Sequence, residues 1–405
     1  MPQQAYRNLR QIDGRQVDIL CADGGIAALG PAGSLAIPAG TTSHDGGRQL
    51  LLPALVEAHC HLDKTLWGQP WRPNSGGPRL IDYITNERQV LRAVKTPILD
   101  RAAALLEQCI SLGSLRIRSH IDVDPEIGLA HVEALLQLRE RYRHAVDLDF
   151  VAFPQNGLLI NPGTAALMEA AVKMGVETIG GLDPAGIDND PIAHLKLIFD
   201  LAAKHGCGLD IHLHDAGELG IWQIDRIADF TQASGLTGKV MVSHAYCLGM
   251  VPQQQIEPLG QRLADLQISL MTTAPSDIAL PPVAFLSALG VNICCGSDGI
   301  RDAWTPFGSG DMLERALLLA LRFDWTKDAE IAAAFACVSR NGARALGVTT
   351  DSPITSEITV GSPADFLLLP AETLGDAIAR RPRDRTVIRR GQIIARDGSY
   401  IGEAS

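Results

Sequence analysis

Eight short β-rich runs separated by amphipathic helical stretches constrain this chain most. They read "LPALVEAHCH", "SLRIRSHIDVD", "DLDFVAFPQ", "ETIGGLDP", "GLDIHLHD", "KVMVSHAY", "QISLMTT" and "VNICCGSD". Alternation of this kind makes repeated βα units and hence a parallel sheet. Most successive runs start about thirty residues apart, the length of one βα unit. Eight units close into a (β/α)8 barrel, whose usual size of ~250 residues fits between residues 54 and 350. The flanks, residues 15 to 52 and about 355 to 400, are short alternating runs punctuated by Gly, as in antiparallel strands. The expected fold is therefore α/β: a TIM-type barrel over 54–350, with a small β-sandwich domain formed by both chain ends, 1–53 and 351–405.

With 405 residues, 46% hydrophobic and 20% charged, the chain has the composition of a globular enzyme with ample core. No stretch approaches the ~18 uninterrupted apolar residues of a membrane span. The opening "MPQQAYRNLRQIDG" has no apolar segment behind a basic one, so a cytoplasmic location is expected. A net charge of -11 argues against a nucleic-acid partner. The 8 cysteines fall singly or as the pair Cys294-Cys295, without CxxC spacing, and read as small buried apolar residues.

The residues capable of chemistry gather at the carboxyl ends of the expected strands. His59 and His61 end the first, His120 and Asp122 the second, Gln155 the third, His212, His214 and Asp215 the fifth, His244 the sixth and Asp298 the eighth. Barrel active sites lie at that face. A lone strand histidine is more often a hydrogen-bonded core residue than a ligand. Two HxH pairs with a further His and an Asp at one end of one barrel reverse that balance. Imidazoles with one carboxylate suit zinc or iron(II) with an open position for water, which such an ion activates near neutral pH. The expected chemistry is hydrolytic.

"HCHLDK", "VAFPQNG", "IHLHDAGELG", "VSHAYC" and "GSDGIRDAWTPFGSGDM", in this order, resemble the amidohydrolase superfamily, in the branch holding cytosine deaminase and N-isopropylammelide amidohydrolase. The resemblance spans nearly the whole chain. It implies one divalent transition metal, Zn2+ or Fe2+, on His59, His61, His212 and Asp298, because "TIGGLDPAG" lacks the strand-four lysine that bridges two metals in other relatives. It further implies that His244 hydrogen-bonds the activated water or the developing oxyanion. By the same likeness Gln155 orients the substrate ring, Trp304 walls the pocket, and Lys64 contacts a substrate oxygen or anionic ring. The implied partner is a small nitrogen heterocycle, and the implied assembly a homo-oligomer.

Two positions depart from the pattern. Asp215 stands where cytosine deaminase has a glutamate proton shuttle, leaving three readings: Asp215 as acid/base, His214 in that role, or Asp215 orienting a ring. Gly299 stands where relatives often carry Asp or Asn beside the strand-eight ligand. The expected activity is hydrolytic replacement of an exocyclic amino or alkylamino group on a cytosine-like pyrimidine or s-triazine by oxygen. Its alternatives are hydrolysis of a cyclic amide or imidazolone, and a non-catalytic barrel used as a binding module.

Overall fold

The structure, a computed structural model, describes residues 3–77, 79–347 and 358–402. The alternating N-terminal runs form β1 (Gln4–Arg10), β2 (Gln16–Ala22), β3 (Gly25–Pro31), β4 (Thr42–Asp45) and β5 (Leu50–Pro53). After Ala54 the chain enters eight strands of near-continuous apolar character, the signature of strands buried on both faces. These are β6 (Leu55–Cys60), β7 (Ser114–Asp122), β8 (Asp147–Phe153), β9 (Thr178–Leu182), β10 (Gly208–Leu213), β11 (Val240–His244), β12 (Ser269–Thr272) and β13 (Ile293–Cys295). They pair in parallel in strict chain order. A bridge between Cys60 and Asp298, with Asp298 N–H donating to the His59 carbonyl at 2.8 Å, brings the two ends together into a nearly closed barrel. All eight expected runs carry a strand.

The C-terminal strands β14 (Phe366–Leu369), β15 (Thr386–Arg389), β16 (Gln392–Arg396) and β17 (Ser399–Tyr400) join β1–β5 in a sheet of nine strands among the described residues. The seam is the antiparallel pairing of β14 with β5. Tyr6, Leu9, Ile19, Leu51, Phe366 and Ile388 form its own apolar core. Both chain ends thus build the small domain, as their patterning predicts. The expected 350/351 boundary lies outside the described residues.

Local signals start and stop the barrel's helices. Asp190 caps Pro191–His205 by accepting from Ala193 N–H, and Gly206, at φ 72°, ends it. The β6–β7 crossover is twice the usual length and holds two helices, α1 (Leu80–Ala93) and α2 (Ile98–Ser111). α1 lies beside the barrel mouth, where Asn86 bonds the Ala303 carbonyl and Glu87 meets Trp304. The small domain is tied to the barrel by Arg385. Its buried guanidinium pairs bidentately with Asp311 at 2.9 and 2.7 Å and donates to the Leu112 carbonyl at 2.7 Å. All eight cysteines are free and buried. No helix among the described residues is long and apolar enough to cross a membrane.

Candidate metal centre and pocket

Strand period 2 and parallel order aim the carboxyl-end side chains into one funnel. His59 and His61 come from the end of β6, His120 from β7, His212 from β10, His244 from β11 and Asp298 from the turn after β13. The ring centroid of His59 lies 4.1 Å from that of His120, 4.5 Å from that of His212 and 5.3 Å from that of His244. Asp298 Oδ1 is 3.1 Å from His61 Nε2 and 3.5 Å from His59 Nε2. Among the described residues, two overlapping groups have potential ligand atoms within 4.8 Å of one another: His59, His61, His120 and His212, and His59, His212, His244 and Asp298.

The donor set fits a divalent transition metal. His59 Nε2, His244 Nε2, and both ring nitrogens of His120 and His212 are buried without a hydrogen-bond partner among the described residues. Buried polar atoms normally find partners, so converging orphan ring nitrogens point to a cation. The tautomer of His59 follows from its neighbours. Ser243 Oγ–H donates to Asp210 Oδ1 at 2.7 Å, so the same oxygen accepts from His59 Nδ1–H at 3.0 Å. This leaves the Nε2 lone pair facing the cluster, the arrangement that orients metal-binding histidines. Burial moves His61 down to about 3 and His120 down to about 4, so both rings are neutral at pH 7. Burial alone would raise Asp298, but the imidazoles of His59 and His61 beside it hold its carboxyl ionised, well below the usual range.

His244 and Asp298 adopt left-handed backbone, φ 73° and 60°, at a cost of about 1–3 kcal/mol each. Glu57 holds this region by accepting from the backbone N–H groups of His59 (3.2 Å) and Ser297 (2.8 Å). Tyr246 O–H lies 3.2 Å from His244 Nδ1.

Above the cluster opens a pocket of about 690 Å³, lined among others by Lys64, Gln155, His214, Asp298, Asp302 and Trp304. Its size suits a small ring. His214 stacks on His244 at 4.3 Å, and its Nδ1–H donates to Asp183 Oδ2 at 2.7 Å. Burial opposes protonation of His214, yet Asp183 raises it overall. Asp215 is placed elsewhere. Its Oδ2 accepts from Gly186 N–H (3.0 Å) and Gln223 Nε2 (2.8 Å), and it does not line the pocket. The ring of His214 is therefore oriented by Asp183, a strand-end carboxylate that the sequence reading passed over.

Lys64, which the resemblance places against a substrate oxygen or anionic ring, is 2% exposed. Its Nζ lies 2.6 Å from Gln155 Oε1 and 3.3 Å from both Asp122 Oδ1 and Glu87 Oε2. Glu87 Oε2 also accepts from Trp304 Nε1 at 2.5 Å, and Trp304 stacks on Tyr83 of α1 at 5.3 Å. Glu87 is a second residue the sequence reading missed. Gly299 has a spatial reason: a Cβ there would sit 2.3 Å from Asp302 Oδ2, whose carboxyl folds back to accept from Trp304 N–H and Thr305 N–H.

Residues 88–395 match the model of the Amidohydrolase family. N-isopropylammelide isopropyl amidohydrolase of Pseudomonas sp. (strain ADP) is 30% identical over 363 residues, 87% of this chain and 88% of that protein. The crystal structure of N-isopropylammelide isopropylaminohydrolase from Burkholderia multivorans superposes with a TM-score of 0.94 at 40% identity, covering 99% of this chain and 100% of that one. That of 5-methylcytosine deaminase from Klebsiella pneumoniae, liganded with 5-fluorocytosine, gives 0.82 at 25% identity over 97% of each. Histidines and a carboxylate gathered at a barrel mouth agree with that likeness, and the chain belongs to the amidohydrolase family, in the branch of N-isopropylammelide amidohydrolase and cytosine deaminase, as a hydrolase of carbon–nitrogen bonds other than peptide bonds.

Proposed function

We propose that the enzyme hydrolytically replaces an exocyclic amino or alkylamino group on a cytosine-like pyrimidine or s-triazine ring by oxygen, releasing ammonia or an amine. The observation that carries this reading is the pairing of the histidine–carboxylate cluster with an amide, an indole and a cation on the facing wall of one small pocket. Two relatives named for N-isopropylammelide and one for 5-methylcytosine support the substrate class.

His59, His61, His212 and Asp298 would hold one divalent transition metal, zinc or iron, with His120 and His244 close by. When bound, that ion supplies Lewis acidity and an activated water. The protein's own groups do the rest. Ionised Asp298 accepts the water's proton and passes it toward the leaving amine. His214, fixed by Asp183, delivers a proton to the ring nitrogen as the ring carbon becomes tetrahedral. His244, buried and neutral, hydrogen-bonds the developing oxyanion. Gln155 and Trp304 orient and cover the ring, and Lys64 lines the pocket beside them.

The test is an ammonia- and amine-release screen of metal-loaded protein across aminopyrimidines, aminotriazines and aminopurines. Release from a pyrimidine or triazine without ring opening supports the reading. Ring opening of a cyclic amide or imidazolone, with no amine released from any amino ring, overturns it.

A further inference from the structure

Gln155 carries more information than its position. A carboxamide can donate and accept, and which end faces a ligand is normally ambiguous. Here the neighbour removes the ambiguity. An ammonium can only donate, so the end of Gln155 that lies 2.6 Å from Lys64 Nζ must be its oxygen. The oxygen is thus engaged by a charge-assisted bond from Lys64. The NH2 group takes no partner among the described residues, while Gln155 lines the pocket.

Lys64 is itself fixed. It has three protons, and three oxygens stand within 3.3 Å: Gln155 Oε1, Asp122 Oδ1 and Glu87 Oε2. With these contacts Lys64 is a positioning group for the amide. Glu87 in addition anchors Trp304, so one carboxylate from α1 sets both the amide's orientation and the aromatic wall.

We propose that Gln155 presents only N–H donors to the substrate, held that way by Lys64 through Glu87 and Asp122, so the subsite selects a ring oxo group and rejects an amino group in its place. The inference deepens the deaminase reading and rests on its assignment of this pocket to the ring. An amino group set against the Gln155 NH2 would put donor against donor, and a site whose buried polar group is left unpaired discriminates strongly.

The experiment compares cytosine with 2,4-diaminopyrimidine, which carries amino in place of oxo, and the corresponding oxo- and all-amino-triazines. Metal-loaded protein is used, with dissociation constants from calorimetry and kcat/KM where turnover occurs. Wild type should prefer the oxo ring by at least about tenfold. Gln155→Met should bring the ratio to near one. Lys64→Met frees the amide to turn and should reduce the ratio at least several-fold, with metal content unchanged. Should Lys64→Met fail to fold because Glu87 and Asp122 lose their cation, the double variant Lys64→Met with Glu87→Gln serves instead. A preference that survives Gln155→Met, or a wild type that binds both rings equally, overturns the assignment. Oxo preference that depends on Gln155 but is accompanied by no amine release would leave this inference standing and reject the deaminase reading.

Discussion

Arg385 and Lys64 are both buried cations, and the two surroundings differ in charge balance. Arg385, at the joint between the small domain and the barrel, meets one carboxylate, Asp311, fork to fork, and spends further donors on the carbonyls of Leu112 and Pro382. Charge and hydrogen bonds close within the protein. Lys64 faces two carboxylates directly, Glu87 and Asp122, with Asp302 nearby, and all beside an open pocket. Burial moves Asp122 and Asp302 each up to about 6 and Glu87 well above its usual range, although Lys64 opposes all three shifts. A pair that is locally complete holds two domains together. A surplus of carboxyls around one ammonium is costly in a folded core and is characteristic of sites that bind or react.

Damage to each region should therefore show up in a different measurement. The largest effect belongs to the pocket. Asp298→Asn keeps the volume and one oxygen but removes the proton acceptor, and turnover of metal-loaded protein should fall by about 10²–10⁴ with little change in unfolding. Near-wild-type turnover with metal retained would remove Asp298 from the proton path.

At the joint the order of effects reverses. Arg385→Met leaves Asp311 buried without its cation and should cost about 3–5 kcal/mol in denaturant unfolding. The fraction that stays folded should keep kcat/KM within about twofold, since Arg385 touches no pocket residue. Adding Asp311→Leu should recover much of the loss, because a buried pair replaced by apolar side chains is often neutral or better. If the joint variant loses activity in proportion to nothing but Asp298 chemistry, with unfolding unchanged, the division between the two regions fails.

What sequence could and could not disclose follows the same division. The eight strands were legible because each is a local run of apolar residues with a turn behind it. The convergence of His59, His61, His120, His212, His244 and Asp298 was legible because barrel strands present their chemistry at one end, so linear position reports spatial proximity, while the choice of four among them rests on the resemblance. The carboxylates that tune the pocket were not. Glu87 looks like any charged residue on the helical run "LIDYITNERQVLRA", and only the extra helix in the long β6–β7 crossover brings it to Lys64 and Trp304. Asp183 stands at a strand end as the clustered histidines do, and "GGLDP" carries that signal. The Asp210–Ser243–His59 relay joins the paired strands β10 and β11 to β6, which pairs with neither, a contact that local periodicity does not report. Asp215 and His214 are adjacent in sequence, and only the loop after β9, which supplies Gly186 and Asp183, separates their fates.

The smallest expected effect tests the carboxyl surplus itself, through Asp302. Its pKa stands at about 6 in the folded chain, raised by burial and partly offset by the N–H of Thr305, Lys64 and the N–H of Trp304, with Asp298 adding to the rise. Unfolded, it would titrate near 3.9. Below about pH 4 the group is protonated in both states and costs nothing. Between about 4 and 6 the unfolded chain releases this proton while the folded chain keeps it, so the folded state binds more protons and stability falls as pH rises. Above about 6 the penalty is complete, on the order of 1–3 kcal/mol. Asp302→Asn retains the oxygen that accepts from Trp304 N–H and Thr305 N–H but has no charge to desolvate. The variant should match wild type near pH 4 and exceed it by that amount at pH 7 to 8, in denaturant unfolding of proteins in the same metal state. A variant that is less stable at pH 8, with the difference closing at low pH, would mean that the Asp302 charge is a net partner for Lys64, and that the pocket is as well balanced as the Arg385 joint.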